Sequence, residues 1–245
     1  MGDMTGSMPR EAKDIGNLCY ELDSYSAIAK KGMPMCCSME VSVAMKKPVI
    51  RLVRLLAKVR MRILHTSLSS ASSSFLYAYN LCNVSAYVRQ ANRRLYPFSP
   101  SGSRALSSED IMTESDYNPD LNDREEARKH YTDSEIGPGP GFFQDTTIVF
   151  YVPENMQGKL LPVNADPMEK TGERLKDING KDYSGLCTYL ELNTMKVAAG
   201  SGTSGTVTYR CYLGGDTTTD FNVERNGRYD VVLDLTPEGF SLDNW

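Results

Sequence analysis

The residues able to do chemistry are few and scattered. His65 and His130 are the two histidines of the chain, and neither has a cysteine or second histidine at metal-ligand spacing. A serine or cysteine hydrolase needs a positioned base, and these two isolated rings offer little choice of one. Asp116-Tyr117-Asn118-Pro119-Asp120-Leu121-Asn122 resembles the first half of a calcium loop. Its sixth position is Leu121 rather than glycine and its twelfth is Ala127 rather than glutamate, so an adventitious acidic loop is the simpler reading. Gly180-Lys181 has Leu175 where a phosphate loop places its first glycine, and no Gly-x-Ser-x-Gly elbow occurs. Asn83-Val84-Ser85 fits the glycosylation triplet, a pattern that also arises often by chance. The sequence therefore predicts no catalytic, cofactor-binding or metal-binding residue and no cofactor, and the chain is expected not to be an enzyme.

The bulk properties narrow the class. A chain of 245 residues, 40% of them hydrophobic, is long enough to bury a sizeable core. A net charge of −4 and a pI near 5.3 give no global attraction to nucleic acid or anionic membrane. Six cysteines permit fifteen pairings, so connectivity and compartment stay open; Cys36 and Cys37 are adjacent, and no Cys-x-x-Cys occurs. No run approaches 18 apolar residues, so no transmembrane span is expected. The opening Met1-Gly2-Asp3-Met4-Thr5-Gly6-Ser7 is polar and is not a secretory signal, and both ends read as though further protein flanks them.

What must position any site is a set of strands. Val207, Tyr209, Cys211 and Leu213 alternate with Thr208, Arg210 and Tyr212, and Gly214-Gly215-Asp216 breaks the run. Tyr229, Val231, Leu233 and Leu235 alternate with Arg228, Asp230, Val232 and Asp234, after the turn signal Asn226-Gly227. Period two sends successive side chains to opposite faces, one dry and one wet, with Cys211 as a buried free thiol. Fourteen tyrosines suit strands that lie half in water. Further strands are expected over Phe75–Val84, Thr147–Val152 and Leu186–Leu192, with Gly200 to Gly205 as a hairpin-like connection.

Residues 48–63 are ambiguous. Val53, Leu55, Ala57, Val59, Met61 and Ile63 alternate with bases, while Arg51, Arg54, Lys58 and Arg62 recur at helical spacing. Pro48 and the β-branched content favour a strand whose bases form a solvated face or protect a sheet edge. With no aromatic residues between the charges, nucleic-acid binding through residues 46–62 is not expected. Residues 99–141 differ in character, with ten acidic residues from Glu109 to Glu135 against four basic ones, Arg104, Arg124, Arg128 and Lys129, and with Gly137-Pro138-Gly139-Pro140-Gly141 closing them. They read as an inserted acidic loop carrying a short helix from Asn118-Pro119 to Lys129. Residues 1–47 hold one convincing strand, Val41–Met45, and read as a remnant of an upstream N-terminal domain or a lead-in strand. Residues 48–245 then form the main domain. The whole is expected to be all-β, an antiparallel sandwich.

Three blocks carry a family resemblance. Phe150-Tyr151-Val152-Pro153-Glu154-Asn155-Met156-Gln157-Gly158 is similar to the "YxPEN…G" segment of fimbrillin-like proteins, the subunits and anchors of donor-strand (type V) pili. Tyr209 to Gly214, Asp220 to Asn226 and Tyr229 to Leu233 resemble the block that closes their C-terminal domain. Gly32 to Met35 followed by Arg54 to Val59 resembles the passage between their two domains. The resemblance implies a transthyretin-like, Greek-key β-sandwich and a lipoprotein-type precursor exported to the outer membrane. It also implies a structural role in fimbriae at the cell surface, with other pilus subunits as partners through donor-strand exchange. In these blocks Pro153 is expected to end a strand, Glu154 and Asn155 to cap the following turn, and Asn226-Gly227 to supply positive φ values. The alternative function is a glycan- or host-protein-binding module of the tip-adhesin kind, supported by the tyrosines and the long insertion. Whether such a subunit is stalk, anchor or tip stays open.

Overall fold

In the computed structural model, the residues described are 4–5, 12–22, 32–37, 47, 49–64, 79–99, 107–112, 129–131, 146–198 and 204–234. Fourteen strands occur among them. The short ones at the start are β1 (Met4–Thr5), β2 (Cys19–Glu21), β3 (Met35–Cys36) and β4 (Val53–Arg54). Next come β5 (Leu56–Leu64), β6 (Tyr79–Arg89), β7 (Arg94–Leu95), β8 (Lys129–Tyr131), β9 (Thr146–Pro153) and β10 (Asn155–Lys159). The chain then forms β11 (Tyr189–Ala198), β12 (Ser204–Tyr212), β13 (Asp220–Val223) and β14 (Arg228–Asp234). Among the described residues helix is confined to 3-10 turns at Ala12–Asn17, Ser108–Asp110, Pro167–Glu169 and Glu173–Leu175.

Two sheets face each other. One runs β12-β11-β6-β8 and the other β14-β5-β9, so the chain is an all-β sandwich. Ala57, Val59 and Met61 of β5, Phe150 and Val152 of β9, and Leu233 of β14 meet Ala86, Val88, Leu190, Leu192 and Tyr209 of the other sheet in one core. Each of these inward positions is two residues from the next along its strand, as the pleat requires. Burial of a side chain such as Phe150 or Leu192 stabilises the sandwich by about 1.5–3 kcal/mol. β11 and β12 form the hairpin expected around residues 200–205, in register from Tyr189↔Tyr212 to Val197↔Ser204.

Several expectations change. All the strand pairs are antiparallel except one: β14 runs parallel to β5, from Arg228↔Lys58 to Asp234↔Leu64. β5 is therefore the middle strand of its sheet, and its bases do not guard an edge. Within 48–63, strand rather than helix forms from Val53 onward, with a break at Leu55, whose amide donates to Pro34 O at 3.0 Å, while residues 49–52 lead in without regular structure. That break lets both Leu55 and Leu56 turn inward against Leu95. β11 begins at Tyr189, because Leu186 and Cys187 are held in a turn by bonds to Tyr183 O. The strand expected over Phe75–Val84 instead spans 79–89. The acidic stretch is not all solvated loop: Met112 enters the main core, Ile111 bridges Asn92, and Lys129–Tyr131 joins β6 as an edge strand. The helix expected from Asn118, the strand Val41–Met45, the calcium-like loop and His65 lie outside the described residues. Near the start of the chain, Cys19–Glu21 pairs with Arg94–Leu95, and Leu22 packs on the main core.

Candidate functional site

The outward face of β12 is only half wet. Thr208 and Arg210 meet solvent, but Tyr212 turns into a second small core with Leu175, Cys187 and Phe221. That core exists because residues 160–188 fold back over the sheet. Asp166 caps the first of their turns by accepting from Met168 N at 2.9 Å. Asp177, Asn179 and Gly180 then take positive φ, closing a tight turn bridged by Ile178 and Lys181. Leu175, fully buried, pins the segment. Gly172 lies against the tip of Tyr212, and a Cβ there would sit 2.7 Å from its hydroxyl, so the ring would have to shift.

Between this segment and the outward face of β11 and β12 lies a cleft of about 710 Å³. Tyr189, Tyr212 and Arg210 line the sheet side, and Gly172, Glu173 and Lys176 line the opposite wall. Gln90 and Ser184 close one end. Gln90 adopts φ 54°, costly for a residue with a Cβ, and donates from Nε2 to Ser184 O at 2.9 Å. Its Oε1 is buried with no donor among the described residues.

Charge across this face is ordered. Arg89 donates from Nε and Nη2 to Glu191 Oε1 at 3.1 and 2.7 Å, and stacks on Tyr87 at 4.4 Å. Arg210 reaches the other oxygen of Glu191 only at 3.5 Å, through Nε, and lies 5.8 Å from the Tyr189 ring centre. Tyr189 and Tyr212 hold their rings 4.9 Å apart at 42°. Lys176 is bound to Glu173 at 2.6 Å.

The resemblance blocks meet in the fold. Glu154, expected at a turn, is buried and accepts from Arg225, whose Nη1 also donates to Tyr96 O and Ser99 O at 3.0 and 3.2 Å. Asn155, with no exposed surface, opens β10 and donates to Leu186 O and Thr188 Oγ1 at 2.7 and 2.8 Å. Pro153 does close β9. In the Asn226-Gly227 turn Asn226 alone has positive φ, 58°. Gly227 is required by space instead, because a Cβ would meet Glu224 O at 2.8 Å.

The loop after β12 is equally built. Lys170, buried at 6% exposure, donates to Asp216 O and Asp220 O at 2.8 and 2.6 Å and lies 4.7 Å from the Phe221 ring centre. Burial lowers its pKa. Desolvation would raise the Asp216 carboxyl, but donors from Asp220, Thr219 and Thr218 outweigh it and hold it far below the usual carboxylate range. Burial pushes the thiol of Cys187 up to about 12 and that of Cys211 up to about 11, so both stay protonated and inert at neutral pH. Both are free thiols, and Cys211 packs against the main core.

The basic stripe of β5 is offset by its neighbour. Arg60 and Arg228 both bind Asp230, at 2.6 and 3.3 Å. His130 lies in β8 opposite Ser85, and Asn83 lies within β6. No group of three potential metal ligands occurs among the described residues, and no described helix is long and apolar enough to cross a membrane.

A family profile described as a domain of unknown function (DUF4906) matches residues 150–233, the stretch that holds both the Glu154 and the Arg225 blocks. No curated protein matches the chain. Among solved structures, a "putative cell adhesion protein" from Bacteroides eggerthii DSM 20697 is similar, with a TM-score of 0.55 and 14% identity. The likeness covers 92% of this chain and 61% of that one, so the chain spans about three fifths of that relative's length. A protein of the same description from Parabacteroides distasonis ATCC 8503 has a TM-score of 0.48 and 14% identity, over 93% of this chain and 71% of that one. The first likeness establishes the shared fold.

Proposed function

We propose that this chain is a fimbrillin-like subunit of a cell-surface adhesive assembly, exported as a lipoprotein-type precursor to the outer membrane. It acts by cohesion rather than catalysis, accepting a neighbour's strand along β14. The observation that carries this reading is the open state of that edge. Tyr229 and Val231 point toward the core yet are only half-buried, whereas their β5 neighbours Val59 and Met61 are 0% exposed. Among the described residues β14 has one neighbour, β5, and an edge strand with half-covered inward residues is a template for another strand. The description of the two structural neighbours as adhesion proteins supports the same reading.

A matching donor lies within the chain itself. Val49, Ile50 and Leu52 are 73, 63 and 63% exposed, an apolar run that a solitary domain has no reason to leave in water. Laid beside β14 of the next subunit, it gains backbone bonds and covers Tyr229 and Val231. The test is to export the protein in a bacterial host and look for a detergent-resistant oligomer ladder. The ladder is expected from the native chain and from Val232→Lys, whose side chain faces outward. It is lost with Val231→Lys and with Ile50→Lys. A folded, surface-exposed native chain that stays monomeric would refute strand addition. A second reading, recognition of a glycan or host protein, is favoured by the cleft over β11 and β12.

A further inference from the structure

We propose that the cleft between residues 172–184 and the outward face of β11 and β12 binds an acidic carbohydrate residue, a uronic or sialic acid. The site is independent of strand addition, since β14 belongs to the opposite sheet. At about 710 Å³ the cleft has the volume of small-molecule sites and exceeds what one sugar ring fills, leaving room for a second.

The chemistry of the lining selects the ligand. A carboxylate is matched by Arg210, which shares its carboxylate partner, Glu191, with the more closely bound Arg89. The Arg210 side chain is 57% exposed, and its Nε makes a single long contact with Glu191. Its two terminal nitrogens have no partner among the described residues, so the planar fork is available for two parallel bonds. Lys176, on the opposite wall, pairs with Glu173 at 2.6 Å and lacks the planar fork that Arg210 offers. At 5.8 Å from the Tyr189 ring centre, Arg210 is also within cation–π reach of that ring.

A sugar rather than a peptide fits the remainder. Tyr189, half-buried at the cleft and backed by Tyr212, is an aromatic ring to whose face the C–H side of a pyranose, carrying partial positive charge, is attracted. Thr208, Ser184 and Thr171 add hydroxyls to the lining of the same cleft. The described lining is predominantly polar, and the cleft lies on a sheet face, where backbone strand pairing is impossible. The segment forming the wall is fixed by Leu175 and by the Gln90–Ser184 bond, so the cavity exists before any ligand arrives.

The experiment titrates the full 245-residue chain with galacturonic acid and with N-acetylneuraminic acid, using galactose as the uncharged control and amide chemical shifts as readout. At least one acidic sugar is expected to saturate, with shifts centred on residues 172–184, Tyr189 and Arg210. Galactose is expected to bind about tenfold more weakly, the value of one charge-assisted contact. Arg210→Ala is expected to lose that same factor, and Arg210→Lys to recover only part of it. Val232→Lys leaves binding unchanged. Circular dichroism of the variants separates a lost contact from a lost fold; if Arg210→Ala unfolds, the shift map and the galactose ratio decide. The proposal is overturned if neither acid saturates, if galactose binds equally, or if folded Arg210→Ala binds as the native chain does. Shifts centred elsewhere, or displacement of the sugar by an acidic peptide at equal concentration, overturn it as well.

Discussion

Glu154 and Arg225, 71 positions apart, form a buried ion pair that locks the β9–β10 junction to the segment before β14. Their side chains are 9% and 5% exposed, and Arg225 spends its other donors on the carbonyls of Tyr96 and Ser99. Three separate stretches of backbone are thereby fixed through one guanidinium.

Removing one partner of such a pair leaves an uncompensated charge in a dry place. Glu154→Gln or Arg225→Met is expected to cost about 3–5 kcal/mol in urea unfolding, with the double replacement costing less than the sum. Equal and additive losses would mean that the pair contributes no coupling.

Gly214 carries the next prediction. A Cβ there would sit 1.7 Å from Asp220 O and 2.8 Å from Lys170 Nζ, so backbone must move for any other residue. Gly214→Ala is expected to destabilise by about 3 kcal/mol, the upper range for overpacking. Gly185→Ala, with nothing within 4 Å of its Cβ, should change little. Thermal melts of the two variants make the comparison.

Asp216 ties stability to acidity. Its carboxylate accepts from the amides of Thr218, Thr219 and Asp220 at 2.9, 2.5 and 2.9 Å, which holds its folded pKa below the unfolded one. The proton binds the unfolded chain first, so this contribution is complete above the unfolded value of about 4 and disappears as pH falls toward the folded value. Asp216→Asn is expected to lose roughly 1 kcal/mol at pH 7, the usual worth of a capping side chain, and the gap to the native protein should close below about pH 4. A gap that is constant with pH would show that the charge is irrelevant.

The sandwich was legible because alternation is local: Ala57, Val59 and Met61, or Tyr209 and Leu233, declare their faces without knowledge of the partner sheet. The parallel pairing of β5 and β14 was not legible, since nothing in the side-chain period distinguishes direction. The cleft was hidden for a different reason. Tyr212 reads as a wet-face residue in its strand, and only the return of residues 160–188 turns it inward. Glu154 and Asn155 stand out as a motif, but residue type alone does not show that the glutamate is buried, and the cation it then needs is not revealed by sequence spacing. The sign that could have exposed the pairing was Arg225 itself, a charge at an inward-facing distance from the apolar Val223.

Cys187 offers the last prediction, and it bears on whether any thiol here could act chemically. The residue has no exposed surface, and burial pushes its pKa up to about 12, even though the nearby Lys170 and Lys181 pull it down. Both the thiolate and a route to it are therefore missing at neutral pH. Iodoacetamide at pH 8 should leave Cys187 unmodified in the native protein and alkylate it fully in urea, with peptide mapping by mass spectrometry as the readout. Partial labelling that grows with a fixed slow rate would measure local opening of the Leu175–Phe221 core, and hence of the wall of the cleft. Fast native labelling would contradict the packing of that core and remove the rigid wall on which carbohydrate recognition depends.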